Sequence, residues 1–111
     1  MMNEAVHTYI STYPDAVKDL FSALRTLLYD SVPGDITESM WARLPSYTVG
    51  DAHVRLIPFK DHINIEAAAI PAHKEALSGY KLTPKGMLQI FVGQDVPADV
   101  LRLIFSDTLS G

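Results

Sequence analysis

The sequence predicts an α+β domain: an antiparallel sheet of about four to five strands packed against helices. Three observations carry this. A hairpin pattern over 52–68 separates into one apolar and one polar face. A 3.6-residue apolar stripe marks a long helix over 14–31. Runs of strands stand beside separate helices, which is α+β order and not βα alternation. With 111 residues, 48% of them hydrophobic and 20% charged, the chain fits a single domain spanning 1–111 with a packed core.

Asn3 is a plausible N-cap for a short helix that runs to Ser11. Tyr13-Pro14 breaks it, because proline disfavours helix at the residue before it. Pro14 suits the first position of the second helix, and Asp15 suits its positive N-terminal end. Val17, Leu20, Phe21, Leu24, Leu27, Leu28 and Ser31 form its apolar stripe. Val32-Pro33-Gly34 ends it.

Residues 36–41 read as a short strand closing at Leu44-Pro45, and Val49-Gly50-Asp51-Ala52 as a turn. Two strands follow, 52–59 and 62–68, around Lys60-Asp61. A short helix over 71–78 is closed by Gly79. A strand over 86–92 ends at Gly93, and Pro97 opens a last helix with Val100, Leu101, Ile104 and Thr108 on one side.

A two-residue turn at Lys60-Asp61 fixes the hairpin register. Phe59 then faces His62, Ile57 faces Asn64 and Arg55 faces Glu66. On the other side Pro58 meets Ile63, Leu56 meets Ile65 and Val54 meets Ala67. The second set is wholly apolar, and a one-residue slip would scramble both faces. Val54, Leu56, Ile63 and Ile65 should therefore pack on the long helix. His53, Arg55, Phe59, His62, Asn64 and Glu66 should lie on the far side. Antiparallel sheets commonly leave one face to water, so the polar face reads either as solvated or as ligand-binding.

Composition excludes several classes. The net charge of −4, from 13 acidic and 9 basic residues, gives no electrostatic footprint for nucleic acid. With no cysteine, a disulfide framework, a thiolate zinc site and a cysteine nucleophile are all ruled out. The first residues have neither a basic start nor an apolar stretch, and no apolar run could span a bilayer. The expectation is a cytoplasmic protein without membrane partners.

No catalytic motif stands out. Gly-x-Ser-x-Gly and the phosphate-cradling glycine loop are both absent. His62, Asn64 and Glu66 share a face, but His62 and Glu66 lie roughly 13 Å apart at ~3.3 Å per residue. One metal ion would need a further ligand from another segment, such as His53. Asp15 with Asp19, and Asp35 with Glu38, read as helix-end or capping arrangements. Lys81 and Lys85 flank a turn, where lysines are usually solvated and sometimes grip an anion.

Several segments resemble a family in the same order along nearly the whole chain. They are Arg43-Leu44-Pro45-Ser46-Tyr47, Phe59-Lys60-Asp61-His62-Ile63, Gly79-Tyr80-Lys81, Lys85-Gly86-Met87-Leu88-Gln89-Ile90 and Val96-Pro97. Together they resemble the YdhG-like family of small bacterial domains of unknown function. The resemblance implies a curved antiparallel sheet backed by helices, and a frataxin-type intracellular iron chaperone label. Iron is thus the cofactor it implies. Arg43 stands where the family favours glycine, and Asn64-Ile65-Glu66-Ala67 replaces its usual Gly-Phe-Tyr-Pro run.

Three functional readings stay open. The first is a binding domain for a small molecule, a peptide or a labile metal. Its concave face would be lined by Arg55, His62, Glu66, Tyr47, Lys85 and Gln89. The second is a small enzyme with His62 as general base, assisted by Glu66 or Lys85. The third is a protein-interaction module using an apolar patch near Trp41, Leu44 and Tyr47.

Overall fold

The computed structural model describes residues 2–110. Asn3 Oδ1 accepts from the N–H groups of Ala5 and Val6, capping α1 (Glu4–Ile10). The second helix, α2, spans Asp15–Ser31. Pro14 precedes it by one position instead of opening it. Its ψ of 151° is extended, and its carbonyl accepts the first helical N–H groups, those of Val17 and Lys18. Proline therefore acts as the cap here. The last helix, α3 (Ala98–Ser110), likewise begins one position after the proline, Pro97, that the sequence places at its start.

Between the helices lies one antiparallel sheet of six strands in the order β1-β2-β3-β4-β6-β5. They are β1 (Thr37–Trp41), β2 (Leu44–Val49), β3 (Ala52–Pro58), β4 (His62–Ala67), β5 (Lys81–Leu82) and β6 (Leu88–Phe91). The α+β class stands, with more strands than the four to five expected. Leu44-Pro45 does not close the first strand but begins β2. The turn before it uses Ala42 at φ 49° and Arg43 at φ 68°, both left-handed as a tight hairpin turn of primed type requires. The segment over 71–78 is a 3₁₀ stretch, Ile70–Leu77, broken at His73.

The β3–β4 register is the one the alternation dictates: Val54 opposite Ala67, Arg55 opposite Glu66, Leu56 opposite Ile65, Ile57 opposite Asn64 and Pro58 opposite Ile63. Phe59 N–H donates to the His62 carbonyl at 2.8 Å, closing the two-residue loop. Val54, Leu56, Ile63, Ile65, Leu88 and Ile90 are fully buried, as are Phe21, Leu24 and Leu28 of α2 and Leu101, Ile104 and Phe105 of α3. One core thus fills the space between the sheet and the helices, and α3 shares with α2 the role expected of the long helix alone. Burying each such aliphatic side chain stabilises the fold by about 1.5–3 kcal/mol. Among the described residues no helix is long and apolar enough to cross a membrane.

Candidate ligand cleft and open sheet face

Period-two alternation sends every second strand residue away from the helices. On β3 these are His53, Arg55 and Ile57; on β4 they are His62, Asn64 and Glu66. Strand pairing carries the same face onward, with Gln89 opposite Asn64, Phe91 opposite His62 and Lys81 opposite Gln89. The helices pack on the other side, so this face stays open.

Its two ends differ. At the end near the β2–β3 turn, Glu66 is held from both sides. Arg55 Nη1 donates to Glu66 Oε2, and His53 Nε2 lies 2.8 Å from the same oxygen. Arg55 also lies flat over the Trp41 ring, 3.8 Å from its centroid, a cation–π contact. His53 and Glu66 line a cleft of about 410 Å³ with Lys85, Met87, Ala67 and Pro71. Lys85 reaches it through a tight turn. Gly86 adopts φ 87° and donates its N–H to the Thr83 carbonyl at 2.9 Å, and Met87 N–H bonds Thr83 Oγ1 at 3.0 Å. A side chain at position 86 would strain that turn. Lys85 is exposed and has no ion-pair partner among the described residues.

At the opposite end His62 is sandwiched between two phenyl rings. Phe59 stacks on it at 4.6 Å and 7°, and Phe91 at 4.7 Å and 30°. The spacing is that of neighbouring strands, so the three rings stand side by side like cards. His62 Nδ1 lies 2.8 Å from Asp61 Oδ1. Between the two ends sit Asn64 and Gln89. Asn64 is 7% exposed, and its Oδ1 is buried with no hydrogen-bond partner among the described residues; the same is true of Arg55 Nε.

The chain matches no protein-family model, no curated protein and no solved structure.

Of the residues the sequence assigned to one binding face, Arg55 and Glu66 touch, and Lys85 lines the same cleft as Glu66. His62 belongs to the other end and does not meet Glu66, and Gln89 lies between. Tyr47 must be reassigned. It pairs with Val54, so it points at the helices and is fully buried. There its hydroxyl donates to Glu38 Oε2 at 2.8 Å. The apolar patch expected around Trp41, Leu44 and Tyr47 loses its tyrosine for the same reason.

His53, which the sequence placed on the polar face and offered as a further metal ligand but not among the binding residues, joins the cleft. Its place two residues before Arg55 on the polar face was the available signal. His53 and Glu66 converge, but His62 does not join them. Among the described residues no group of three or more His, Asp or Glu side chains is arranged to hold a metal ion.

Proposed function

We propose that the chain is a cytoplasmic binding domain that takes a small carboxylate-bearing molecule in the cleft of His53, Glu66 and Lys85. The observation that carries this reading is the charge balance of the cleft. Glu66 is already answered by Arg55 and His53, whereas Lys85 is unanswered among the described residues. Met87, Pro71 and Ala67 supply an apolar wall, and Asp51 also lines the cleft, so an anionic group would seat beside Lys85 and away from Asp51. A ligand with an anionic group for Lys85 and a short apolar body fits this lining. About 410 Å³ is the size of an ordinary small-molecule site.

The resemblance to YdhG-like domains agrees with a small binding domain. The iron-chaperone form of that reading is less well supported, because a labile iron site needs several oxygen and imidazole ligands and the cleft offers His53 and Glu66 alone. An enzymatic reading has one observation behind it: Glu66, fixed by Arg55, orients His53 at 2.8 Å, as carboxylates orient general bases. Any such base would be His53 and not His62, which stands between Phe59 and Phe91 at the other end of the sheet.

Ligand-detected NMR with small aliphatic carboxylates and their matched primary amides tests the proposal. Carboxylates are expected to bind saturably, amides not, and Lys85→Met to weaken binding about tenfold or more. Equal binding of acids and amides, or none of either, would refute it. Slow turnover of a bound acid that stops in His53→Gln would favour the enzymatic reading instead.

A further inference from the structure

The net charge of −4 is unevenly placed. Glu4, Asp19, Asp30 and Glu75 lie on the helical elements and have no ion-pair partner among the described residues. The turn end of the open sheet face is the reverse. β1 and β3 both pair antiparallel with β2, so they run the same way, and the turns that follow them meet at one end of the sheet. Those turns hold Arg43 and Lys60, both exposed and both without an ion-pair partner among the described residues. The acid beside them, Asp61, is engaged by His62. The loop after β6 leaves the same end, with Val92 N–H donating to the Asp61 carbonyl at 2.9 Å; its Asp95 carbonyl accepts from the Tyr80 hydroxyl at 2.5 Å, so one further acid stands near the edge of this surface.

Each cation follows an exposed aromatic ring. Trp41 is 55% exposed and Phe59 41%. Both lie on the open face, since Arg55 covers one side of Trp41 and His62 stacks on Phe59. Each ring thus has one side covered by a stacked partner and the rest open to solvent. Preorganised aromatic anchors flanked by unpaired charge are the usual makings of a recognition surface.

From this juxtaposition we propose that the turn end of the open face docks an extended acidic peptide segment carrying an aromatic or aliphatic anchor. The anchor would lie between Trp41 and Phe59, over the half-buried Ile57, with flanking carboxylates on Arg43 and Lys60. Charge complementarity selects the partner. A phosphate chain is disfavoured because it would extend past two cations into the field of a net-negative protein. A second copy is disfavoured at its open face, which would bring Arg43 and Lys60 against their own kind. The two surfaces share Arg55, which covers Trp41 and bonds Glu66, but they use different cations, Lys85 in the cleft and Arg43 with Lys60 here, so either proposal can fail without the other.

Trp41 is the sole tryptophan, and its emission reports the surface directly. The probes are a capped Asp-Glu-Phe-Glu-Leu-Asp peptide, its lysine-for-acid counterpart and a short single-stranded oligothymidylate. The expected result is a saturable change in emission with the acidic peptide alone. The double variant Arg43→Asn/Lys60→Gln should weaken it about tenfold; asparagine tolerates the left-handed backbone at 43, so the turn survives. Phe59→Ala, which leaves both cations in place, should weaken it as well. No response, an equal response to the lysine peptide, undiminished binding by the double variant, or tighter binding of oligothymidylate would each overturn the proposal.

Discussion

Arg25 of α2 and Glu38 of β1 tie the edge of the sheet to the helical layer, with Arg25 Nε donating to Glu38 Oε2 at 2.6 Å and Nη2 to Oε1 at 3.1 Å. The Glu38 side chain is only 5% exposed. Its remaining acceptor capacity is filled by the Asn3 N–H and the Tyr47 hydroxyl. Among the described residues no strand lies beyond this edge strand, so this cluster supplies an anchorage that strand pairing cannot.

That cluster sets an acid limit on stability. Burial alone would push the Glu38 carboxyl up, but the hydrogen bonds from Arg25, Asn3 and Tyr47 outweigh it and hold the group below 4.5. A lowered folded value means the carboxylate's contribution is fully present above the unfolded value near 4.5 and is lost as pH falls through the folded one. Urea midpoints measured across pH 7 to ~3 should therefore drop below about pH 4.5 in the wild type. Glu38→Gln should lower stability at neutral pH by ~1–3 kcal/mol and flatten the acid decline. An acid decline of unchanged steepness in Glu38→Gln would show that other carboxylates govern it.

Tyr47→Phe isolates the third leg. The phenol is buried and donates to a carboxylate, and both effects drive its ionisation far above the ordinary tyrosine value. It therefore stays a donor at every working pH. Losing the hydroxyl should cost about 1–2 kcal/mol, read as a shift in urea midpoint with unchanged slope. A neutral effect would mean that Glu38 is satisfied without it.

The β1–β2 turn leaves room for improvement. Ala42 and Arg43 occupy left-handed backbone, which costs an ordinary L-residue ~1 kcal/mol. Ala42→Asn with Arg43→Gly supplies the pair that a primed turn favours. The double variant should gain about 1 kcal/mol in thermal or urea unfolding. A loss would indicate that the Arg43 side chain makes a stabilising contribution larger than the backbone strain.

The same turn explains what the sequence concealed. Ala42-Arg43 carries none of the glycine or asparagine that announces a hairpin, so β2 was hidden, and with it the register that turns Tyr47 inward. Pro45, which lacks a backbone donor, argues against a strand there, so the alternation of Ser46-Tyr47-Thr48-Val49 passes unread. In contrast, Val54, Leu56, Ile63 and Ile65 alternate with His53, Arg55, His62, Asn64 and Glu66, Ile57 being the one apolar exception, and only one register buries them all. β5, two residues long, has no pattern to read. In the cleft, the Arg55–Glu66 pair followed from register alone. Lys85, which the sequence also placed on that face, reaches the cleft through the Gly86 turn and not through strand register.

The two sheet faces predict opposite responses to truncation. Ile65 is fully buried against the helices, whereas Ile57 is half-buried on the open face. Ile65→Ala should cost ~2–5 kcal/mol through lost burial and the cavity left behind. Ile57→Ala should cost well under half as much, since its neighbours can relax toward solvent. Comparable losses at both positions would mean that something covers the open face in solution.

Arg55 has two tasks that a lysine cannot perform together. Its guanidinium lies over the Trp41 ring at 3.8 Å while Nη1 bonds Glu66, and a planar fork does both where an ammonium offers a single point of charge. Its side chain is 12% exposed, so the pair is shielded enough to contribute more than a surface ion pair. Arg55→Lys should therefore lower stability by about 1–2 kcal/mol and change the Trp41 emission. Glu66→Gln should lower stability similarly while leaving the emission nearly unchanged, because the stacking survives. In a double-mutant cycle the two substitutions should be non-additive by ~0.5 kcal/mol or more. Strict additivity would separate the stacking from the ion pair. It would also remove the argument that Arg55 holds Glu66, and through it His53, in place for the cleft.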